Sequence, residues 1–158
     1  RAGGRTGTNV KKRMTKMPSQ IALSQQVAPD AARAAARAAV RLDEDAHRTA
    51  VAAARAALDK KAEQVVVLDL RGMSGYTDYL VIGSGTSDRQ LEAIADGIDK
   101  ELKSMGHRMV GSEGQRGGRW VLLDFGDVVA HIFHHEDRAH YDLEGLWADA
   151  PRVPFDGS

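Results

Sequence analysis

The chain has 158 residues, enough for one domain, with 22 Lys+Arg against 22 Asp+Glu and no cysteine. The missing thiols exclude disulfide frameworks, cysteine-based zinc sites, iron–sulfur clusters and thiol nucleophiles, and no run approaches the roughly 18 consecutive apolar residues of a membrane span. The net charge of zero is an average of two opposed parts: residues 1–42 hold nine basic residues and one acid (+8), and residues 43–158 hold 13 basic and 21 acidic (−8).

Residues 1–29 contain Gly3, Gly4, Gly7, Pro18 and Pro29 and little that is apolar; they are expected to be disordered, because ordering would be repaid by too little burial. From Asp30 to Leu42 a short Ala/Arg helix is expected, capped by Asp30. Its Arg33, Arg37 and Arg41 fall four apart on one face. Such a stripe can track phosphates, although a solvated linker is the favoured reading. The domain proper is expected at 46–150, after the basic extension 1–45. Its first helix runs from Asp45 to Lys61 with Val51, Ala54, Leu58 and Ala62 as the apolar stripe.

Gln64–Leu70 is an apolar, β-branched run of strand length, Gly72–Gly75 is turn chemistry, and Asp78–Ile82 is a second strand. The short connection predicts an antiparallel hairpin. Ser87 and Gln90 have capping-box spacing, and Leu91, Ile94, Ala95, Ile98, Leu102 and Met105 form the buried stripe of the helix that follows, stopped by Gly106. A short strand is expected over His107–Val110 and a polar loop over Gly111–Gly118. Trp120–Phe125 and Val128–Phe133 flank Gly126-Asp127 as a further hairpin. Glu136–Ala150 suggests one or two short helices, and Pro151 and Pro154 predict a disordered tail, 151–158. The expected fold is mixed α/β, α+β-like, with one five-stranded mixed sheet flanked by helices.

Three stretches carry residue types that could support chemistry. Gly83-Ser84-Gly85-Thr86-Ser87 joins a strand to a capped helix, where amides can hold phosphate. Asp88 replaces the third glycine of a dinucleotide fingerprint, however, and no acid pair for magnesium follows on Trp120–Phe125. A nucleotide-binding or nucleotidyltransferase-like role is the alternative function kept from this turn. His131, His134, His135 and His140 match no compact zinc spacing, and Ser84 lacks a nucleophile elbow. No metal, no cofactor and no catalytic residue is expected. Arg138, Tyr141, Leu143, Glu144 and Trp147 pack aromatic, aliphatic and charged groups into ten residues. In a continuous helix Tyr141, Glu144 and Trp147 would share a face.

Five stretches in order, Asp78–Gln90, Ile94–Asp96, Glu113-Gly114, Trp120–Phe133 and Arg138–Trp147, resemble the ribosomal silencing factor family (RsfS, also called Iojap). The resemblance implies a nucleotidyltransferase-like fold without the catalytic acids. It implies a non-enzymatic protein that binds the large ribosomal subunit at ribosomal protein L-fourteen, blocks joining of the small subunit and so represses translation when nutrients are short. It carries the partner-binding role to Trp120, Arg138, Tyr141, Leu143, Glu144 and Trp147, and puts Asp78, Asp124 and His131 at motif positions that are structural or at the interface. Homodimers, a bacterial cytoplasmic location ahead of an organellar one, and no membrane partner follow from it as expectations. His140 departs from the aromatic or aliphatic residue the family often has before the tyrosine. The basic extension lies outside the resemblance; it is a candidate contact for ribosomal RNA, and a second alternative function is an RNA-binding protein acting through this basic arm.

Overall fold

Alanine determines how the ordered chain begins. The computed structural model describes residues 29–73, 75–114 and 118–156, and helix α1 runs unbroken from Pro29 to Asp59. The two helices expected on either side of residue 45 are therefore one, since nothing between Leu42 and Ala46 is a helix breaker. The expected disorder of residues 1–28 lies outside the described residues. The buried face of α1 consists of Ala46, Thr49, Ala50, Ala53, Ala54, Ala56 and Ala57. Of the expected stripe, Ala54 and Ala62 are buried, and Val51 and Leu58 flank it half-buried. Small side chains let the helix axis approach the sheet closely, and bulkier ones fill the margins.

Strands β1 (Glu63–Asp69) and β2 (Tyr79–Gly85) form the expected antiparallel hairpin. Helix α2 (Asp88–Ser104) follows, then β3 (Gly111–Glu113), β4 (Trp120–Asp124), β5 (Val128–His134), α3 (His135–Tyr141) and α4 (Leu143–Leu146). The sheet order is β1-β2-β5-β4-β3, with β2 and β5 parallel and the other pairs antiparallel. This is the expected five-stranded mixed sheet. β3 lies at Gly111–Glu113 instead of His107–Val110, because pairing with β4 sets Gly111 opposite Asp124 and leaves Val110 outside, 72% exposed. Tertiary pairing overrides local β propensity there.

Alternation along the strands separates two cores. Val67, Tyr79, Val81, Val121, Leu123, Ala130 and Ile132 face α1 and α2 with Leu91, Ile94 and Ile98. Leu68, Leu70, Leu80, Ile82, Val129 and Phe133 face the opposite way, toward Trp120, Leu122, Leu143 and Trp147. No long helix covers this second face among the described residues, so the short C-terminal segment closes it. Met105, expected at the end of the buried stripe of α2, is 37% exposed at the helix C-cap.

The C-terminal segment also departs from expectation. Instead of ending order, residues 151–155 lie along the free edge of β1: Asp69 N–H donates to Pro151 O at 2.8 Å and Val153 N–H to Val67 O at 2.8 Å, and Val153 is buried. A proline carbonyl still accepts a ladder bond, and an edge strand is where sheets tolerate proline. The segment thereby covers an edge that would otherwise be open to pairing.

Candidate docking surface

The second sheet face carries an aromatic group at the end where β5 runs into α3. β4 and β5 pair Trp120 with Phe133 and Leu122 with His131. The Trp120 ring stacks on Phe133 at a centroid distance of 5.0 Å, lies 4.5 Å from Tyr141 and is tilted 5.6 Å from His131. Its indole Nε1–H donates to His131 Nδ1 at 2.9 Å. That bond requires His131 to be the neutral tautomer with its proton on Nε2. Burial enforces this state, pushing the imidazole pKa down to about 4. Trp120 stays half-buried and Tyr141 47% exposed, so a packed aromatic surface is held at the solvent boundary.

Of the one or two short helices expected here, two form, and they break between Tyr141 and Leu143. Asp142 adopts φ 46°, ψ 53°, a left-handed conformation that Asp tolerates better than most residues. It closes α3 by donating its N–H to Arg138 O at 3.0 Å, and it opens α4 by accepting from Gly145 N–H through Oδ1 at 3.1 Å. A Cβ at Gly145 would run into the Asp142 carboxylate, so a larger residue there would displace the capping side chain. With the break at Asp142, Tyr141 turns onto Trp120, and Leu143 and Trp147 turn onto the second core.

Arg138 was expected to touch a partner, but it points inward. It is 7% exposed. Its Nε donates to Glu144 Oε1 at 2.9 Å, and its Nη1 donates to Ser84 Oγ at 2.8 Å and to Glu63 O at 3.4 Å. Glu144 is also met by Arg152 at 3.5 Å. Arg138 thus ties α3 and α4 to the edge of the sheet. Arg119, which the motif reading missed, does the same at the start of α3 by pairing with Asp137 at 2.7 Å and Glu136 at 3.0 Å. This pairing holds the Asp137 carboxyl below its usual range. The only sequence signal for it was an arginine directly before Trp120.

Of the remaining motif positions, only His131 reaches the aromatic group. Asp124 caps the β4–β5 turn, accepting from Gly126 N–H at 2.8 Å. Asp78 opens β2, where Leu70 N–H donates to its carbonyl at 2.8 Å. Burial, and then the charge of Asp127, raise its carboxyl pKa. Both lie at the far end of the sheet, opposite Trp120.

The Gly83–Ser87 turn is occupied by the protein itself. Ser87 Oγ accepts from Gln90 N–H at 3.1 Å. The Gln90 side chain reaches one residue further back than a capping box requires, with Oε1 accepting from Thr86 N–H at 2.8 Å and Nε2 donating to Lys61 O at 2.9 Å. Among the described residues, one group has metal-ligand geometry: His134, His135 and Glu136, whose ligand atoms lie within 4.8 Å of one another. His134 is already committed, its Nε2 to Thr86 O at 3.1 Å and its Nδ1 to Glu136 N–H at 3.4 Å, with the Arg119 guanidinium 3.3 Å away. A cation beside the ligand nitrogen opposes a metal ion.

Residues 43–158 match the family described as "Ribosomal silencing factor during starvation". The chain belongs to the ribosomal silencing factor family. The ribosomal silencing factor of Halalkalibacterium halodurans is 48% identical over 99 residues, covering 63% of this chain and 85% of its own. A mouse protein named mitochondrial assembly of ribosomal large subunit protein 1 is 38% identical over 91 residues, 56% of this chain and 40% of its own. The crystal structure of a Chromobacterium violaceum protein superposes with a TM-score of 0.63 at 33% identity, covering 70% of this chain and 92% of that one. The mixed sheet and its helices are shared with that solved structure. The described helices include none long and apolar enough to cross a membrane.

Proposed function

We propose that this ribosomal silencing factor docks on the large ribosomal subunit at ribosomal protein L-fourteen, through the face built from Trp120, Tyr141, Leu143, Glu144 and Trp147. By occupying that surface it blocks the small subunit and represses translation under nutrient limitation, in the bacterial cytoplasm. The observation that carries this reading is the tilted Trp120–Tyr141 contact, with both rings stacked on Phe133, placed at the solvent boundary on the sheet face that lacks a long helix among the described residues. Tyr and Trp are the residue types that dominate contact energies. Because Phe133 and the His131 bond already hold Trp120, little side-chain freedom is lost on docking. The −8 balance of residues 43–158 speeds encounter with a basic ribosomal protein. Arg138 contributes by holding Glu144 and the α3–α4 break in place. Self-association through the same aromatic face would give a homodimer that competes with docking.

The protein acts here by binding and not by catalysis. The kept alternative, nucleotide binding at Gly83–Ser87, would need amides and hydroxyls that Gln90 and Arg138 already engage. Titration of purified large subunits with Trp120→Ala tests the proposal. Affinity should fall by about 2–4 kcal/mol while the fold is retained. A folded variant with unchanged affinity removes Trp120 from the interface. Heat released on mixing the protein with ATP and magnesium would revive the alternative.

A further inference from the structure

We infer that the first half of α1 is a rigid arm that lies along the phosphate backbone of structured RNA, with Arg33, Arg37 and Arg41 as its contacts. Residues 29–42 span about 21 Å at 1.5 Å per residue. None of them is buried, and the first buried residue of the helix is Ala46. The helix is continuous across this boundary, so the orientation of the arm is set by the half packed on the sheet. The three arginines stand four apart, one above the other, on one face.

The charges around the stripe leave it open to an anion. Among the described residues, no acid forms an ion pair with Arg33, Arg37 or Arg41. Asp45, next in the same row, is engaged with His107 at 3.5 Å and Arg48 at 3.8 Å. Asp43 faces Arg71 at 3.9 Å. Like charges at i,i+4 spacing weaken a helix, so the stripe gains only when an anion lies along it. All three residues are arginine, whose planar fork matches phosphate oxygens in pairs. Alanines fill most of the remaining positions and allow close approach.

The composition of the arm and the ribosomal reading together favour RNA over an anionic membrane. A membrane-lying helix needs a broad apolar face of large residues, and here only Val40 and Leu42 are large. The family acts on a particle made largely of RNA, so the choice of RNA rests on the ribosomal reading, although the existence of the arm does not. The arm also leaves the body at the end opposite the aromatic face: Asp43 and His47 sit beside Arg71 and Tyr79, whereas Lys60 and Lys61 meet Gln90 near the start of α2. With about 46 Å of helix from Pro29 to Asp59, protein docking and RNA contact are two separate points, and joining them raises overall avidity. A-form RNA has a narrow major groove that a helix does not enter, so the contact is with backbone and is independent of sequence.

The test uses the full chain and a fluorescent, blunt-ended RNA duplex of arbitrary sequence, read by anisotropy across a salt series. Replacing Arg33, Arg37 and Arg41 together by Gln should weaken binding at least about tenfold and reduce the log–log salt slope by about 2–3, with an unchanged melting temperature. The triple Lys variant should recover most of the slope. Ala35→Pro, which keeps every charge, should lose affinity because the stripe is no longer aligned. An unchanged slope in the Gln variant overturns the contact, and wild-type affinity for Ala35→Pro overturns rigid presentation. Tighter binding to anionic phosphatidylglycerol vesicles than to the duplex overturns RNA as the partner. Naked RNA lacks ribosomal protein, so failure here leaves docking at the aromatic face standing, and failure of that docking leaves the arm standing.

Discussion

Replacing Arg138 by Ala separates a positioning role from a direct contact. The guanidinium is 7% exposed and makes one charge-assisted bond to Glu144 at 2.9 Å, one to Ser84 at 2.8 Å and a long one to Glu63 O at 3.4 Å. A hydrogen bond between charged groups contributes about 1.5–3 kcal/mol and one to a neutral hydroxyl about 0.5–1.5. Glu144 keeps Arg152 at 3.5 Å and is partly solvated, so the carboxylate is not stranded, and the upper end for a broken buried pair, about 5 kcal/mol, does not apply. The expected loss is about 2–4 kcal/mol of folding stability, read by urea denaturation with an unchanged m-value. Subunit affinity should fall as well, because α3 and α4 carry Tyr141, Leu143 and Trp147 on the backbone that Arg138 fixes. Arg138→Lys should recover part of both. If stability stays within about 0.5 kcal/mol of wild type while affinity drops as far as in Trp120→Ala, the side chain touches the partner and the positioning argument fails.

Three other perturbations test the framework. Gly114 has φ +75°, and a Cβ there would run into the Trp120 carbonyl, so Gly114→Ala should lower stability by about 2–4 kcal/mol and blur the near-ultraviolet signal of Trp120, whereas a silent variant would show that this turn yields easily. His131 is held neutral with its pKa near 4, below its unfolded value of about 6.5, so stability should be complete above neutral pH and drain away as pH falls from about 6.5 toward 4, by about 2–3 kcal/mol between pH 7 and 4.5. His131→Phe should remove that component from the pH profile, and an identical acid profile in the variant would show that other groups carry it. Val153→Asp places a charge where the C-terminal segment seals β1. It should cost about 2–3 kcal/mol by thermal melting, and indifference to it would mean that the strap contributes nothing to the fold.

Most of the framework was legible because periodicity and burial coincide. Leu91, Ile94, Ile98 and Leu102 announced α2, the β-branched run over Val65–Val67 announced β1, and Gly126-Asp127 announced the β4–β5 hairpin. What escaped were the places where distant pairing decides. β3 forms on Gly111–Glu113 only because β4 offers an edge, and residues 151–155 are ordered only because β1 has a free one. In the site, Trp120 and Tyr141 could be picked out as aromatic residues in a motif, but their 4.5 Å contact depends on the turn at Asp142, a residue that ordinarily continues or caps a helix. The inward orientation of Arg138 was hidden for a related reason: its acceptor Ser84 lies 54 residues away, in a turn that suggested phosphate chemistry by itself.

Occlusion of the small subunit is read by sedimenting purified large and small subunits in the presence of increasing protein. The joined ribosome should give way to free subunits, with protein cofractionating on the large one, and Trp120→Ala should require a concentration higher by roughly 30-fold or more, the equivalent of about 2 kcal/mol, the lower bound for that side chain. Joining that stays complete while the protein is seen bound to the large subunit would contradict occlusion.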